Sequence, residues 1–261
     1  MGAASLENAW MNDPHVKAVT YRITCPDPQR IVALEAEPFT TLVADFAVEI
    51  DNFEATFRPN AHFPDMASAR AALEPIIRDW EAAADLFAMT PVEFHYVSTA
   101  IEDRSPEKAS SEVSTFRDVR GSVGAYDTGI SPKYPAPPPN WFHESDLLKQ
   151  LRLRWRAVRE HRAPILAEAY FCLTALEHEH GSRSAVAQSL NVDRAVLQKV
   201  AELASIYDPQ RGRKARGPIR HLTMNEESWL FDAVLRLIAR QAQAEGKVTP
   251  ARLTMRDLPT I

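Results

Sequence analysis

The chain has 261 residues, 45% hydrophobic and 25% charged, a composition typical of globular proteins with one or two domains rather than of disordered ones. Two cysteines argue against a disulfide framework or a cysteine-rich metal site, and eight glycines argue against a glycine-cradled nucleotide site. No run approaches the roughly 18 apolar residues of a membrane span, so the sequence predicts a cytoplasmic protein without a membrane partner.

Charge is distributed unevenly around the formal net value of -5. Residues 1–144 carry 11 Lys and Arg against 22 Asp and Glu, whereas residues 145–221 carry 14 against 8. The first segment is therefore acidic and the second basic. This asymmetry is a hint of a basic surface that binds nucleic acid or an acidic protein, but ordinary solvated faces give the same pattern more often.

The N-terminal part predicts a small sheet covered by one or two helices, and therefore an α+β fold. Period-two alternation predicts strands within residues 16–24, 39–50 and 92–103. The middle segment is predicted as one continuous strand whose apolar face carries Leu42, Ala44, Phe46, Val48 and Ile50. Before the last strand, apolar residues at helical spacing predict a helix that begins after its N-cap Asp65 and kinks or divides at Pro75.

Two groups of potential metal ligands lack the arrangement of a metal site. Asp45, Glu49 and Asp51 share the outer face of the middle strand without a histidine partner, and we interpret them as a solvated face. His178 and His180 are two residues apart, which places them on different faces of a helix. The sequence also lacks a phosphate-binding loop and a dinucleotide motif, so it predicts no metal and no cofactor.

Five prolines between Ser131 and Phe142 mark the boundary between the halves. Proline fixes an extended backbone and cannot lie inside a helix or a central strand, so residues 131–142 are predicted to form a stiff linker. This linker separates an acidic α+β domain, residues 1–130, from a basic-to-neutral helical domain, residues 143–261.

The C-terminal part predicts a helical bundle whose helix ends are recognisable. Ser145 caps a first helix that runs toward Pro164, and a second helix begins at Pro164 and ends at Gly181. A last helix begins at Thr223, where Glu226 completes a capping box. The functional signal lies between the second and the last of these helices.

Residues 182–205 are typical of a helix-turn-helix unit. Such a unit needs a small residue where its helices cross, a turn residue that tolerates a left-handed backbone, and apolar residues that pack the second helix back. These places are filled by Ala187, Asn191, Val192, Leu197 and Val200. The unit predicts a regulatory, non-enzymatic protein associated with nucleic acid; alternatively, the helix pair only builds the bundle.

The second helix of this unit and the loop that follows it supply the predicted contacts. The helix surface is expected to present Arg194, Gln198 and Lys199 toward bases or phosphates. The basic loop, residues 211–221, is expected to add phosphate contacts from Arg211, Arg213, Lys214, Arg216 and Arg220.

Two other functions stay open. Arg156 and His161 are spaced similarly to the pair in HEPN-type ribonucleases, where arginine would hold the scissile phosphate and histidine would move a proton. Such spacings arise by chance in an arginine-rich chain, and Ala157 stands where a polar residue is usual. The third function is that of an adaptor, whose basic face binds an acidic protein or the acidic half of a second copy.

The order of features resembles a group of uncharacterised bacterial proteins. The resemblance is carried by segments such as "FRPNAHFPDMASARAALEPIIRDWE" in the first half and "AEAYFCLTALEHEHG" and "LNVDRAVLQKVAELAS" in the second. It covers most of the chain and implies a bacterial, cytosolic protein with a strand-rich N-terminal half and a helical C-terminal half. It implies no activity and transfers no functional residue.

Overall fold

The computed structural model describes residues 13–25, 39–88, 91–104, 137–206 and 220–261. The protein has an α+β fold, with an antiparallel sheet in the N-terminal half and most of its helices in the C-terminal half. The chain divides into two compact units. The first extends to Ala84 and from Ala88 to Asn140, and the second holds Asp85–Phe87 and Trp141–Ile261.

The sheet of the first unit has five strands in the described part of the chain. They are β1 (Pro14–Thr24), β2 (Phe39–Val43), β3 (Phe46–Asp51), β4 (Glu54–Pro59) and β5 (Glu93–Asp103). Their order is β2-β3-β4-β1-β5, and every neighbouring pair is antiparallel. Phe57 of β4 lies opposite both Val48 of β3 and Val19 of β1, and all three are fully buried. This cross-strand row forms the centre of the sheet's inner face.

The prediction of one continuous strand over residues 39–50 was wrong, because the chain reverses there and forms the hairpin of β2 and β3. Val43 pairs with Phe46, and Ala44 in the turn takes a left-handed backbone with φ 48°. Leu42, predicted to face the core, is 64% exposed. The turn lacks the Asn-Gly or Asp-Gly pair that usually marks such a hairpin in sequence. The alternation of apolar and polar residues continues through the turn, and it therefore indicated a single strand.

One helix of the first unit, α1 (Met66–Ala83), packs against β1 and β5. The predicted N-cap is confirmed, since the Asp65 carboxylate accepts a hydrogen bond from the Ser68 amide at 2.7 Å. The helix is not divided at Pro75, and a π-helical turn, Ala84–Ala88, follows it. We attribute the continuity to burial on both sides of the proline, Leu73 before it and Trp80 after it, which offsets the lost backbone hydrogen bond.

The second unit holds α2 (Asp146–Arg159), α3 (Ile165–His180), α4 (Arg183–Ser189), α5 (Arg194–Ala204), α6 (Met224–Glu245) and a short 3-10 turn (Met255–Asp257). Three predicted helix ends are confirmed: the Ser145 side chain caps α2, Gly181 ends α3 with φ 88°, and Thr223 with Glu226 forms a capping box on α6. Helix α2 ends before Pro164, toward which it was predicted to run, because Glu160 caps it and His161 takes a left-handed backbone with φ 55°.

Both cysteines are buried and free, Cys25 in the first unit and Cys172 in the second. Burial raises the pKa of the Cys172 thiol to about 12, so it stays protonated. Among the residues that the structure describes, no helix combines the length and apolar composition needed to cross a bilayer. The same residues contain no group of three or more His, Cys, Asp or Glu side chains placed to hold a metal ion.

Candidate nucleic-acid interface

The segment predicted as a helix-turn-helix unit forms two short helices joined by a tight turn. Ser182 begins the segment, and its hydroxyl accepts a hydrogen bond from the Ala185 amide at 3.2 Å, which caps α4. After α4 ends, Asn191 reverses the chain with φ 49°, a left-handed backbone that asparagine tolerates better than most residues. The helix α5 then begins at Arg194.

Helices α3, α4 and α5 contact one another pairwise and share one apolar core. Val186 of α4 and Val192 of the turn are at most 1% exposed. The inner face of α5 is equally buried and carries Val196, Leu197, Val200, Leu203 and Ala204. This packing fixes which face of α5 points outward, because the buried residues fall on one side of the helix.

The outward face of α5 exposes two of its three residues predicted to contact nucleic acid. Arg194 and Gln198 are exposed, lie one turn apart, and have no hydrogen-bond or ion-pair partner among the described residues. Lys199 is different: its side chain is only 26% exposed, and its ammonium contacts the Glu202 carboxylate at 2.8 Å. The beginning of α5 therefore offers a cation and an amide, whereas its last turns carry a paired charge.

A C-terminal segment that the sequence did not connect with this unit lies against the turn. Leu253 forms a parallel bridge with Val192: its amide donates to the Asn191 carbonyl at 3.0 Å, and its carbonyl accepts from the Asp193 amide at 2.8 Å. The Asn191 side-chain amide also donates to the Pro250 carbonyl at 2.9 Å. About sixty residues separate the partners, and no local pattern indicates a pairing of this kind.

The same segment brings a further cation to the start of α5. The Arg252 guanidinium contacts the Asp193 carboxylate at 2.5 Å, and the Arg252 side chain is 63% exposed. Asp193 is the N-cap residue of α5, but its side chain accepts no hydrogen bond from the helix. Sequence reasoning missed Arg252 because it lies outside the basic segment of the chain.

The predicted basic loop, residues 211–221, falls largely outside the described residues, which hold only its last two members. Those outside are Arg211, Arg213, Lys214 and Arg216. Arg220 is described, and its two terminal nitrogens each donate to a Glu226 oxygen at 2.6 Å. It therefore stabilises the start of α6, and a phosphate would have to compete with this carboxylate.

Replacing Glu226 with glutamine should lower the free energy of unfolding at neutral pH by about 2 kcal/mol. Hydrogen bonds from Arg220 and Thr223 lower the pKa of Glu226 from 4.5 to about 2. A lowered folded-state pKa means that the stabilisation is complete above about pH 4.5 and is lost as the pH falls toward 2.

Urea unfolding at several pH values measures this effect. The difference between the native protein and Glu226→Gln should shrink steadily below pH 4.5. Glu74→Gln is the control, since Glu74 is exposed and pairs with Arg78, one helical turn away, at 3.1 Å. A difference that stays constant down to pH 3 would contradict the prediction.

The alternative pair, Arg156 and His161, lies at the end of α2. The Arg156 guanidinium donates to the Glu160 carboxylate at 2.9 Å, and the Arg162 Nε donates to the same carboxylate at 2.8 Å. Although burial acts to raise it, these hydrogen bonds hold the pKa of Glu160 below its ordinary value. A negative carboxylate therefore occupies the position where arginine would hold a phosphate, and the ribonuclease function stays a prediction that this geometry does not favour.

Of the two histidines considered as ligands, His180 belongs to a chain of hydrogen bonds between helices. Its Nε2 lies 2.9 Å from the Gln241 side-chain oxygen. The Gln241 amide then donates to the Glu245 carboxylate at 2.8 Å, and so does the Ser145 hydroxyl at 2.9 Å. Gln241 is 2% exposed, so this chain satisfies a buried polar group and joins α3 to α6.

Comparisons with protein-family models, with curated proteins and with solved structures each find no match to this chain.

Proposed function

We propose that the protein is a non-enzymatic regulator that binds duplex DNA, with α4 and α5 acting as a helix-turn-helix unit and α5 lying in the major groove. One observation carries this proposal. The left-handed turn at Asn191 and the buried inner face of α5 leave Arg194 and Gln198 exposed at the beginning of that helix, without partners among the described residues. In helix-turn-helix proteins, the first turns of the second helix contact base edges.

The chemistry of these two side chains suits the major groove. An arginine can donate two hydrogen bonds to the O6 and N7 atoms of guanine, and a glutamine can bind both N6 and N7 of adenine. Glu202, which is exposed on the last turns, would repel phosphates and so favours contact through the first half of α5. Phosphate contacts would come from Lys199 and from the cations of the basic loop, residues 211–221.

This proposal includes the cytoplasmic location that the sequence predicts and the bacterial origin that the resemblance implies, since both fit a DNA-binding regulator. It also includes assembly of two copies, because helix-turn-helix proteins commonly bind paired half-sites as dimers. A dimer would make the selected DNA sequence a palindrome.

Selection from a pool of random duplex DNA tests the proposal. We expect the intact chain to enrich a defined sequence, and Arg194→Ala or Gln198→Ala to weaken binding to that sequence about tenfold or more in fluorescence anisotropy. Gln150→Ala is the matched control, because Gln150 is exposed on α2. Enrichment of no sequence, together with no binding of duplex DNA at low salt, would overturn the proposal.

A further inference from the structure

The C-terminal segment beside the turn between α4 and α5 is anchored by buried side chains and local hydrogen bonds. Leu253 and Leu258, 1% and 7% exposed, anchor it on either side of the 3-10 turn. Between them, the Asp257 carboxylate accepts from the Thr254 amide at 2.7 Å and from the Thr254 hydroxyl at 2.8 Å. Arg252 directly precedes the first anchor, so its backbone has a fixed position relative to α5.

That position is beside the part of α5 that the proposed function places in the groove. Leu253 pairs with Val192, which is two residues before Arg194. Arg252 reaches Asp193, the residue directly before the helix. The Arg252 side chain is 63% exposed beside the start of α5, so it can reach a phosphate that flanks the groove when α5 lies in it.

We propose that Arg252 is a phosphate-binding residue of the DNA interface and that it exchanges the Asp193 carboxylate for a phosphate when the duplex binds. This inference rests on the proposed function and adds a second, C-terminal element to its surface. The exchange is chemically plausible because guanidinium binds carboxylate and phosphate with the same paired donors. An exposed ion pair holds its partners only weakly, by up to about 1 kcal/mol, so a phosphate can displace the carboxylate.

A simpler role for Arg252 would be to neutralise Asp193, whose charge would otherwise repel the DNA. The two roles differ in what happens when both groups are removed. If Arg252 only neutralises, Asp193→Asn together with Arg252→Gln should bind as the native protein does. If Arg252 binds phosphate, the double variant should stay defective, because the phosphate contact is still missing.

The experiment measures affinity for the selected duplex as a function of salt concentration, by fluorescence anisotropy, for the full chain. We expect Arg252→Gln to weaken binding about tenfold and to reduce the slope of log K against log salt by about one. Arg252→Lys should retain the slope, and the double variant should keep the reduced slope. Arg162→Gln is the control, since Arg162 has a similarly exposed side chain on the connection between α2 and α3.

The outcomes separate this inference from the proposed function. An unchanged slope in Arg252→Gln, or full recovery in the double variant, overturns the role of Arg252 while leaving DNA binding through α5 intact. Failure of the native chain to bind any duplex overturns both. Far-UV circular dichroism of each variant confirms that the fold is retained, so that lost binding is not mistaken for unfolding.

Discussion

Replacing Asp85 with alanine should lower the free energy of unfolding by about 3 to 5 kcal/mol. Asp85 is 3% exposed and accepts hydrogen bonds from two arginines of α2, Arg152 at 3.1 Å and Arg159. Arg152 also donates to the buried Glu144 at 2.7 Å. Without Asp85, two largely buried guanidinium groups would lose the carboxylate they share, and Arg159 would keep no opposite charge beside it among the described residues.

Chemical unfolding followed by far-UV circular dichroism measures this loss. Asp85→Asn should be destabilised nearly as much, because it keeps the volume but removes the charge. Asp232→Ala is the matched control: it breaks a more exposed pair with Arg236 on α6 and should cost less than about 1 kcal/mol. Equal effects of Asp85→Ala and Asp232→Ala would show that the buried network does not stabilise the fold.

Trp80→Ala is expected to destabilise the first unit by a similar amount, about 3 to 5 kcal/mol. Trp80 of α1 is fully buried, and its ring centroid lies 6.4 Å from that of Phe57 and 5.4 Å from that of Phe94. Alanine at this position leaves a large cavity between the helix and the sheet. The strands around it cannot close the gap, because their register is fixed by pairing on both sides of β4 and β1.

Hydrogen exchange of the β1 and β4 amides is the sharpest readout, since it reports the opening of the sheet itself. Protection in these strands should fall in Trp80→Ala. Arg78→Ala is the control on the same helix, because it removes an exposed contact with Glu74. Unchanged protection would mean that α1 does not support the sheet as the packing indicates.

The helix ends were predictable because their causes are local. A side chain that caps a helix, as Ser145 or Thr223 does, lies within three residues of the amide it binds, so the pattern can be read from the sequence. The left-handed turns at Gly181 and Asn191 were predictable for the same reason. Both depend on which residues tolerate a positive φ.

The hairpins were less predictable because their turns use uncommon residues. Ala44 and Phe53 both adopt a positive φ, which their side chains disfavour. The strand pairing on either side supplies the stabilisation that the turns lack. As a result, the alternating pattern was interpreted as one strand through the turn at Ala44. The strand β4, which follows the turn at Phe53, was not predicted.

The candidate site was predictable only in part, because one of its contacts joins residues that are distant in sequence. The buried and exposed faces of α5 follow from its own spacing, so Arg194 and Gln198 could be selected as surface residues. The approach of Arg252 to Asp193 joins residues far apart in the chain and depends on tertiary packing. Glu226 is only six residues from Arg220, but the sequence was interpreted there as a capping box and the ion pair was overlooked. Charge counting selected Arg220 and left out Arg252, which lies beyond the basic segment.

The bridge between Val192 and Leu253 has a consequence for how the protein is made. The ribosome synthesises the chain from the N-terminus, so α4 and α5 emerge well before Leu253, which completes the turn between them. Until Leu253 has been synthesised, the Asn191 carbonyl and the Asp193 amide lack these hydrogen-bond partners. A growing chain, or one terminated before Leu253, would thus leave the turn between α4 and α5 without these bonds, and we expect the DNA binding proposed for α5 only in chains that include Leu253.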